Sequence, residues 1–276
     1  MHFYVLLLSE MIRLPKAKIN LGLRILRRRP DGYHDIETLL LPIPLRDALE
    51  VLPSEEGMKY DFGDWGEPSE ENLVVRAYHL VKAAYPEVPP VEIILRKRIP
   101  TGAGLGGGSS DASNMLLLLD EVFGLGMSYD EMHQMATRLG ADCPFFLRDE
   151  PQLGEGIGEQ LSPFPLHLEG KVLTLLHSDL HISTAEAYGG VVPSEEGPSL
   201  RELLSQPIEE WRGTLYNAFE PHIFERYPAL AHGKEQLYRA GATYAAMSGS
   251  GSTLFALSDA PLSISDWEGT QQTYTL

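Results

Sequence analysis

Ile19, Leu21, Leu23 and Ile25 alternate strictly with Lys18, Asn20, Gly22 and Arg24. Successive side chains of a strand point to opposite faces, so this period predicts a strand with one buried face and sets Lys18 and Asn20 together on the other. Leu73, Val74, Ala77, Leu80, Val81 and Ala84 recur at helical spacing up to the break at Pro86, and Val91 to Leu95 reads as a strand. Met132, Met135, Ala136 and Leu139 share one face of a further helix that Gly140 is placed to end, and the methionines suit core packing. Further on come a strand over 171–176, a loop over 194–198 and a capping box from Ser199 to Glu202. Helical stretches over 209–219 and 229–240 follow, then strands over 243–247 and 253–257. The mixture is of α+β class. The texture changes after Gly154-Glu-Gly-Ile-Gly158, which predicts a boundary near residue 155 and two domains, 1–155 and 156–276. The tail beyond Ser258 carries no assignable motif.

Between the strand at 91–95 and a helix running to about Phe123 lies Pro100-Thr-Gly-Ala-Gly-Leu-Gly-Gly-Gly-Ser-Ser-Asp111, with five glycines in the seven residues 102–108. Glycines let successive backbone N–H groups turn toward one point, and a helix N-terminus adds unpaired donors, so the run predicts a phosphate cradle. It lacks the Gly-Lys-Ser/Thr ending of a P-loop. Gly102, Gly104 and Gly107 match G-x-G-x-x-G, but Asp120 and Glu121, at the distance where a dinucleotide fold needs an acid after a second strand, lie inside the helical pattern. A plain turn needs one or two glycines rather than five. Ser109, Ser110 and Asp111 stand where N-caps belong, and the serine hydroxyls suit capping, phosphate or its metal ion equally.

Composition narrows the partners. The 276 residues, 43% hydrophobic and 22% charged, make one large or two ordinary domains. A net charge of −17 argues against a nucleic acid or an anionic membrane as partner. Seven of the 22 basic residues nevertheless fall between Arg13 and Arg29, and Arg96-Lys97-Arg98 precedes the glycine loop. Such islands in an acidic chain suit a polyanionic small molecule. Cys143 is the sole cysteine, so no intrachain disulfide forms and a cytoplasmic location is expected. Phe3-Tyr-Val-Leu-Leu-Leu8 is too short to span a bilayer, and residues 1–10, ahead of Met11, read as an extension or an upstream start.

Ser248-Gly-Ser-Gly-Ser252 taken alone is ordinary turn chemistry between strands. Paired with the first loop, it suggests two glycine-rich loops closing on one ligand. Five motifs then fall in order between about Ile12 and Leu257: Pro15-Lys-Ala-Lys-Ile-Asn-Leu21, Asp31-Gly-Tyr-His34, the glycine loop, Gly140-Ala-Asp-Cys-Pro144 and Ser248-Gly-Ser-Gly-Ser252. In that order they resemble the GHMP kinases. The resemblance implies an N-terminal domain like ribosomal protein S5 domain 2, a ferredoxin-like C-terminal domain, and ATP-dependent phosphorylation of a small alcohol. Lys-Ile-Asn, Asp-Gly-Tyr-His and Gly-Ala-Asp-Cys-Pro together resemble the branch that phosphorylates the 2-hydroxyl of 4-diphosphocytidyl-2-C-methyl-D-erythritol in non-mevalonate isoprenoid synthesis. Alternatives are a GHMP kinase for a sugar, homoserine or mevalonate-type alcohol, and a non-catalytic nucleotide-binding regulator. Asp-Gly-Tyr-His discriminates against the former, whose substrates carry no base to stack. The presence of Lys18 and Asp142 speaks against the latter.

The resemblance also implies roles. Asp142 is the base, and Lys18 keeps it ionised while favouring the alkoxide and the transferring phosphoryl group. Tyr33 stacks on the cytosine, His34 meets its edge and Tyr188 covers the other face, with Asn20, Ser248, Gly249 and Gly251 on the acceptor side. Pro100, Gly102, Gly104, Leu105, Gly106, Gly107, Gly108, Ser109 and Ser110 hold the phosphates of ATP, and Asn72 and Lys97 stand where the adenosine is contacted. Mg2+ is expected with ATP, held by phosphate oxygens, waters and a loop serine rather than an assigned carboxylate. Three positions depart from the usual pattern: Thr101 for a larger apolar residue, Ser113 for alanine, and Ser252 for proline or alanine. Monomer and homodimer are both compatible with the chain.

Overall fold

The computed structural model describes residues 11–65 and 68–276, so the apolar stretch at 3–8 lies outside the described residues. Contacts divide the chain into two compact units, each assembled from separated segments. Neither is a simple half cut at residue 155: the chain leaves the first unit at Ala17, returns at Leu45, and crosses again on either side of Pro100–Leu105.

The first unit holds residues 11–17, Leu45–Ile99 and Gly106–Asp149. Its sheet has the order β1 (Ile12–Arg13), β4 (Ala48–Pro53), β6 (Val91–Arg96), β5 (Lys59–Asp61), with only the β5–β6 pair parallel. Helices α1 (Leu73–Ala84), α2 (Gly107–Phe123) and α3 (Tyr129–Leu139) share a core with it. Val51 and Ile93 of the sheet, Val81 of α1, Leu116 of α2 and Met132 of α3 are all buried there, which confirms the helical periods read at 73–84 and 132–139. Asn72 caps α1 through Val74 N, and Ser128 with Glu131 forms a capping box on α3. The cap of α2 differs from expectation: it is the left-handed Gly106, with no side-chain cap bond, so Ser109, Ser110 and Asp111 lie inside the first turns. Helix geometry then leaves the first N–H groups of α2 without intrahelical partners.

The second unit holds Lys18–Pro44, Pro100–Leu105 and Glu150–Leu276. One sheet, running mostly within it, has the order β2 (Lys16–Arg28), β3 (His34–Arg46), β7 (Gln152–Glu155), β8 (Gln160–Pro163). The other is antiparallel, with the order β10 (Tyr244–Met247), β11 (Leu254–Ser258), β9 (Val172–His177), β12 (Thr270–Thr275). Short helices α4 (Thr184–Gly189) and α5 (Leu200–Leu204) and the pair α6 (Glu220–Arg226) and α7 (Pro228–Arg239) complete it.

Three expectations change here. The strand at 19–25 is the middle of β2, but both of its faces are buried: Lys18, Asn20 and Arg24 are each 4% exposed. Their polar groups are satisfied by neighbours instead of water, as in the 2.7 Å Arg24–Glu37 ion pair to β3. The segment 209–219 is not a helix beyond a short 3-10 turn at Ile208–Glu210. Its end runs extended beside β2, where Leu23 N donates to Tyr216 O and Ala218 N to Leu23 O, an alternative that takes these groups from any helix. The tail forms β12, a polar edge strand whose alternation carries no hydrophobic signal.

Candidate functional site

In the second unit the site is built around one carbonyl. Gly104 O accepts from the Lys18 ammonium at 3.0 Å and from Ser248 Oγ at 2.8 Å. Backbone bonds from Lys18 N to Leu105 O and from Thr253 N to Ala103 O lace the glycine loop to β2 on one side and to the end of the second glycine loop on the other. This fit requires glycine: residue 104 sits at φ +77°, and a Cβ there would lie 2.0 Å from Ser248 O. Gly102 and Gly106 are likewise left-handed. The Lys18 ammonium also donates to Asn20 Oδ1 at 2.6 Å, Asn20 Nδ2 to Thr38 Oγ1, and Thr38 Oγ1 to Gly22 O, so a relay of oriented groups fixes a nearly buried cation. Gly249 approaches the same group: a Cβ there would lie 3.4 Å from Lys18 Nζ and 3.3 Å from Asn20 Oδ1. Gly251 N bonds Ser248 O, closing the second loop on itself.

An aromatic group lies in the same unit. His34 stacks on Tyr188, with ring centroids 4.9 Å apart, and Tyr188 meets the edge of Phe219. Tyr33 is 61% exposed. Its turn is braced by Asp31, which accepts from Tyr33 N and pairs with Arg29, and by Asp35, which pairs with Arg27 and Arg29. The bond from Arg29 holds the Asp31 carboxyl below its usual range, and that from Arg27 does the same for Asp35.

In the first unit, Asp142 precedes the 3-10 turn Cys143–Leu147 and makes no capping bond to it. Ser113, one of the departures from the family pattern, donates from α2 to Cys143 O at 2.6 Å and so fixes this turn to the helix that carries Ser109 and Ser110. Burial pushes the Cys143 thiol up to about 11, which keeps it neutral and unreactive. The other serine departure, Ser252 in the second unit, donates to Leu180 O. Thr101 is exposed. Pro100 begins the segment Pro100–Leu105 of the second unit.

Lys97 is where the sequence reading was least complete. Its ammonium pairs with both Asp47 and Asp111, and its side chain is 10% exposed. Asp47 further accepts from the backbone N–H of Arg98 and Ile99, tying the strand exit to the glycine helix. Burial raises the Asp111 carboxyl to about 8, outweighing the Lys97 charge, with Asp47 adding to the rise. Asn72 accepts its cap bond from Val74 N through Oδ1.

The structure therefore gathers Lys18, Asn20, Gly104, Ser248 and Gly249 in one unit and Asp142, Ser109 and Ser110 in the other. Sequence reasoning missed Asp47, Thr38, Asn217 and Glu220. The last two were legible as polar residues three apart in an otherwise apolar stretch, Asn217-Ala-Phe-Glu220.

Comparison with known proteins gives the family. The model of the GHMP kinases N terminal domain matches residues 72–150 and that of the GHMP kinases C terminal domain residues 199–264. A protein of Parabacteroides distasonis called 4-diphosphocytidyl-2-C-methyl-D-erythritol kinase is 47% identical over 91% of this chain and 93% of its own length. A namesake in Cytophaga hutchinsonii is 47% identical over 90% of this chain and 92% of its own. The crystal structure of a 4-(cytidine 5'-diphospho)-2C-methyl-D-erythritol kinase superposes with a TM-score of 0.78 at 37% identity, covering 91% of each chain. The homoserine kinase of Cytophaga hutchinsonii shares the fold at 18% identity, with a TM-score of 0.63 over 88% of this chain and 85% of its own. The chain belongs to the GHMP kinases, ATP-dependent enzymes that phosphorylate small molecules.

Proposed function

We propose that the protein transfers the γ-phosphoryl group of ATP to the 2-hydroxyl of 4-diphosphocytidyl-2-C-methyl-D-erythritol. The observation that carries the choice of acceptor is the exposed Tyr33 on its ion-paired turn, beside the stacked His34 and Tyr188. A flat exposed ring on a braced turn is what a nucleobase needs and what a sugar or homoserine does not use. Relatives at 47% identity that bear the name of this kinase support the same acceptor.

As the acceptor oxygen bonds to the γ-phosphorus, the bond from phosphorus to the bridging oxygen of the β-phosphate breaks and ADP leaves. Phosphoryl transfer needs alignment and charge stabilisation more than covalent help. The hydroxyl proton passes to the Asp142 carboxylate as the new bond forms. Lys18, aimed by Asn20 and Gly104 O, offsets charge on the transferring oxygens. The N–H groups of the glycine run and of the first turn of α2 hold the donor phosphates.

Ser110 Oγ is buried at the start of α2 and has no hydrogen-bond partner, which fits a group that takes an oxygen ligand there. Ser110 and the ATP phosphate oxygens would hold Mg2+, which neutralises charge on the β- and γ-phosphates when bound. Among the described residues no group of three or more His, Cys, Asp or Glu side chains stands ready to hold a metal. No helix among them is long and apolar enough to cross a membrane, and a cytoplasmic location suits a buried free thiol.

A coupled ADP-release assay against a panel of alcohols tests the assignment. The diphosphocytidyl compound should support turnover, and homoserine, mevalonate and simple sugars should not. Turnover of one of these instead would overturn it.

A further inference from the structure

Asn217 lies outside every motif assigned above, yet its buried side chain joins three parts of the second unit. Its Nδ2 donates to Met247 O and to Gly249 O, each at 2.8 Å, and its Oδ1 accepts from Phe219 N at 2.9 Å. The residue is 1% exposed, so all of its hydrogen-bonding capacity on these groups is directed inward. Its own backbone stretch is bonded to β2 at Leu23, a few residues along from Lys18 and Asn20. Glu220, one helical turn on, takes Met247 N at 2.8 Å while pairing with Lys234. Asn217 and Glu220 therefore grip both backbone groups of Met247, the last residue of β10, and Asn217 extends the grip to Gly249 in the second glycine loop.

That loop touches the reacting end of the site. A Cβ added at Gly249 would lie 3.4 Å from Lys18 Nζ and 3.3 Å from Asn20 Oδ1, and Ser248 shares Gly104 O with the same ammonium. We infer that Asn217 is a positioning residue for phosphoryl transfer: its amide holds the Ser248–Gly251 loop at the depth that aims Lys18, and its carbonyl separately seats Phe219 behind Tyr188. The inference rests on the proposed kinase chemistry and adds a residue that touches neither substrate.

The two ends of the amide separate the two tasks. Asn217→Asp keeps the acceptor for Phe219 N but sets a carboxylate oxygen against two carbonyls. It should lower kcat by about 10- to 100-fold, the usual effect of misplacing a reacting group by about 1 Å, with KM for the cytidyl substrate within about twofold of wild type. Asn217→Ala loses both ends and should lower kcat and raise that KM. Tyr238→Phe is the control for mere stability. It removes two bonds to Ala245 on the same strand, away from the loop, and should lower the unfolding midpoint while leaving kcat and KM unchanged. Amide hydrogen exchange of residues 248–251 should quicken in Asn217→Asp and not in Tyr238→Phe, a readout independent of which alcohol is accepted. Where the Asp variant fails to fold, Asn217→Ser, which retains one donor, should fall between wild type and Ala in kcat. Wild-type kcat in the Asp or Ser variant, or equal loop exchange in Asn217→Asp and Tyr238→Phe, would overturn the inference. Failure of the wild type to use the cytidyl substrate would remove only the acceptor, with loop exchange still deciding the role of Asn217.

Discussion

Gly104→Ala puts the architecture of the site under direct load. The residue is held at φ +77°, a conformation that costs an L-residue about 1–2 kcal/mol. The added Cβ would lie 2.0 Å from Ser248 O, so that carbonyl must withdraw by roughly 1.5 Å to reach ordinary contact. Withdrawal breaks the Gly251 N bond to Ser248 O, about 1 kcal/mol, and pulls at the Lys18 bond to Gly104 O, a charged bond of about 1.5–3 kcal/mol. The total is about 3.5–6 kcal/mol. Gly124, the left-handed cap at the other end of α2, has nothing within 4 Å of an added Cβ, so Gly124→Ala should cost only the conformational part, about 1–2 kcal/mol. Urea unfolding followed by tryptophan fluorescence, with kcat measured alongside, compares the two. Gly104→Ala should be the less stable by several kcal/mol and should lose turnover, whereas Gly124→Ala should keep it. Equal stability of the two variants, with kcat intact in both, would refute the account of the knot at Gly104.

Asp142→Asn should lower kcat by about 10²- to 10⁴-fold, the span of a general base, with KM for ATP little changed in steady-state assays. Tyr33→Ala should raise KM for the cytidyl substrate by the worth of one stacked base, about 1–3 kcal/mol, and leave KM for ATP alone. Asp111 gives a pH signature: its folded value of about 8 stands above the ordinary 3.8, so between these limits the folded state holds a proton that the unfolded state has released. Stability from this group is complete below pH 3.8 and falls as pH rises to about 8. Asp111→Asn, a mimic of the neutral acid, should flatten that slope and raise the urea midpoint at about pH 9; parallel pH profiles for variant and wild type would contradict it.

Much of this was visible in the chain itself, and the reasons for the remainder are physical. The periods at 73–84 and 132–139 gave true helices because each has a single apolar face and a side-chain cap at Asn72 or Ser128. The alternation at 19–25 found the strand but not the burial of its polar face, since period-2 patterning cannot tell a solvated Arg24 from one paired with Glu37 of β3. The stretch 209–219 has helical composition, yet residues 216–218 pair with β2, a tertiary demand that local propensity does not register. β12 was missed because Thr-Gln-Gln-Thr-Tyr-Thr is an edge with no core face of its own. The glycine loop and Lys18 were legible as chemistry, while Asp47 and Thr38 were not. Single polar residues that organise backbone carry no spacing, and only the fold reveals what they hold.

Phosphorus NMR of the reaction product tests the central claim most directly. The 2-carbon of the acceptor bears a methyl group and no hydrogen, so a phosphate placed on its oxygen has no three-bond coupling to a proton. With wild-type protein, ATP and the diphosphocytidyl substrate, one new uncoupled phosphomonoester resonance should grow in step with ADP, and with Asp142→Asn it should be nearly absent. A proton-coupled phosphomonoester, or ADP formed with no new resonance, would contradict transfer to the 2-hydroxyl.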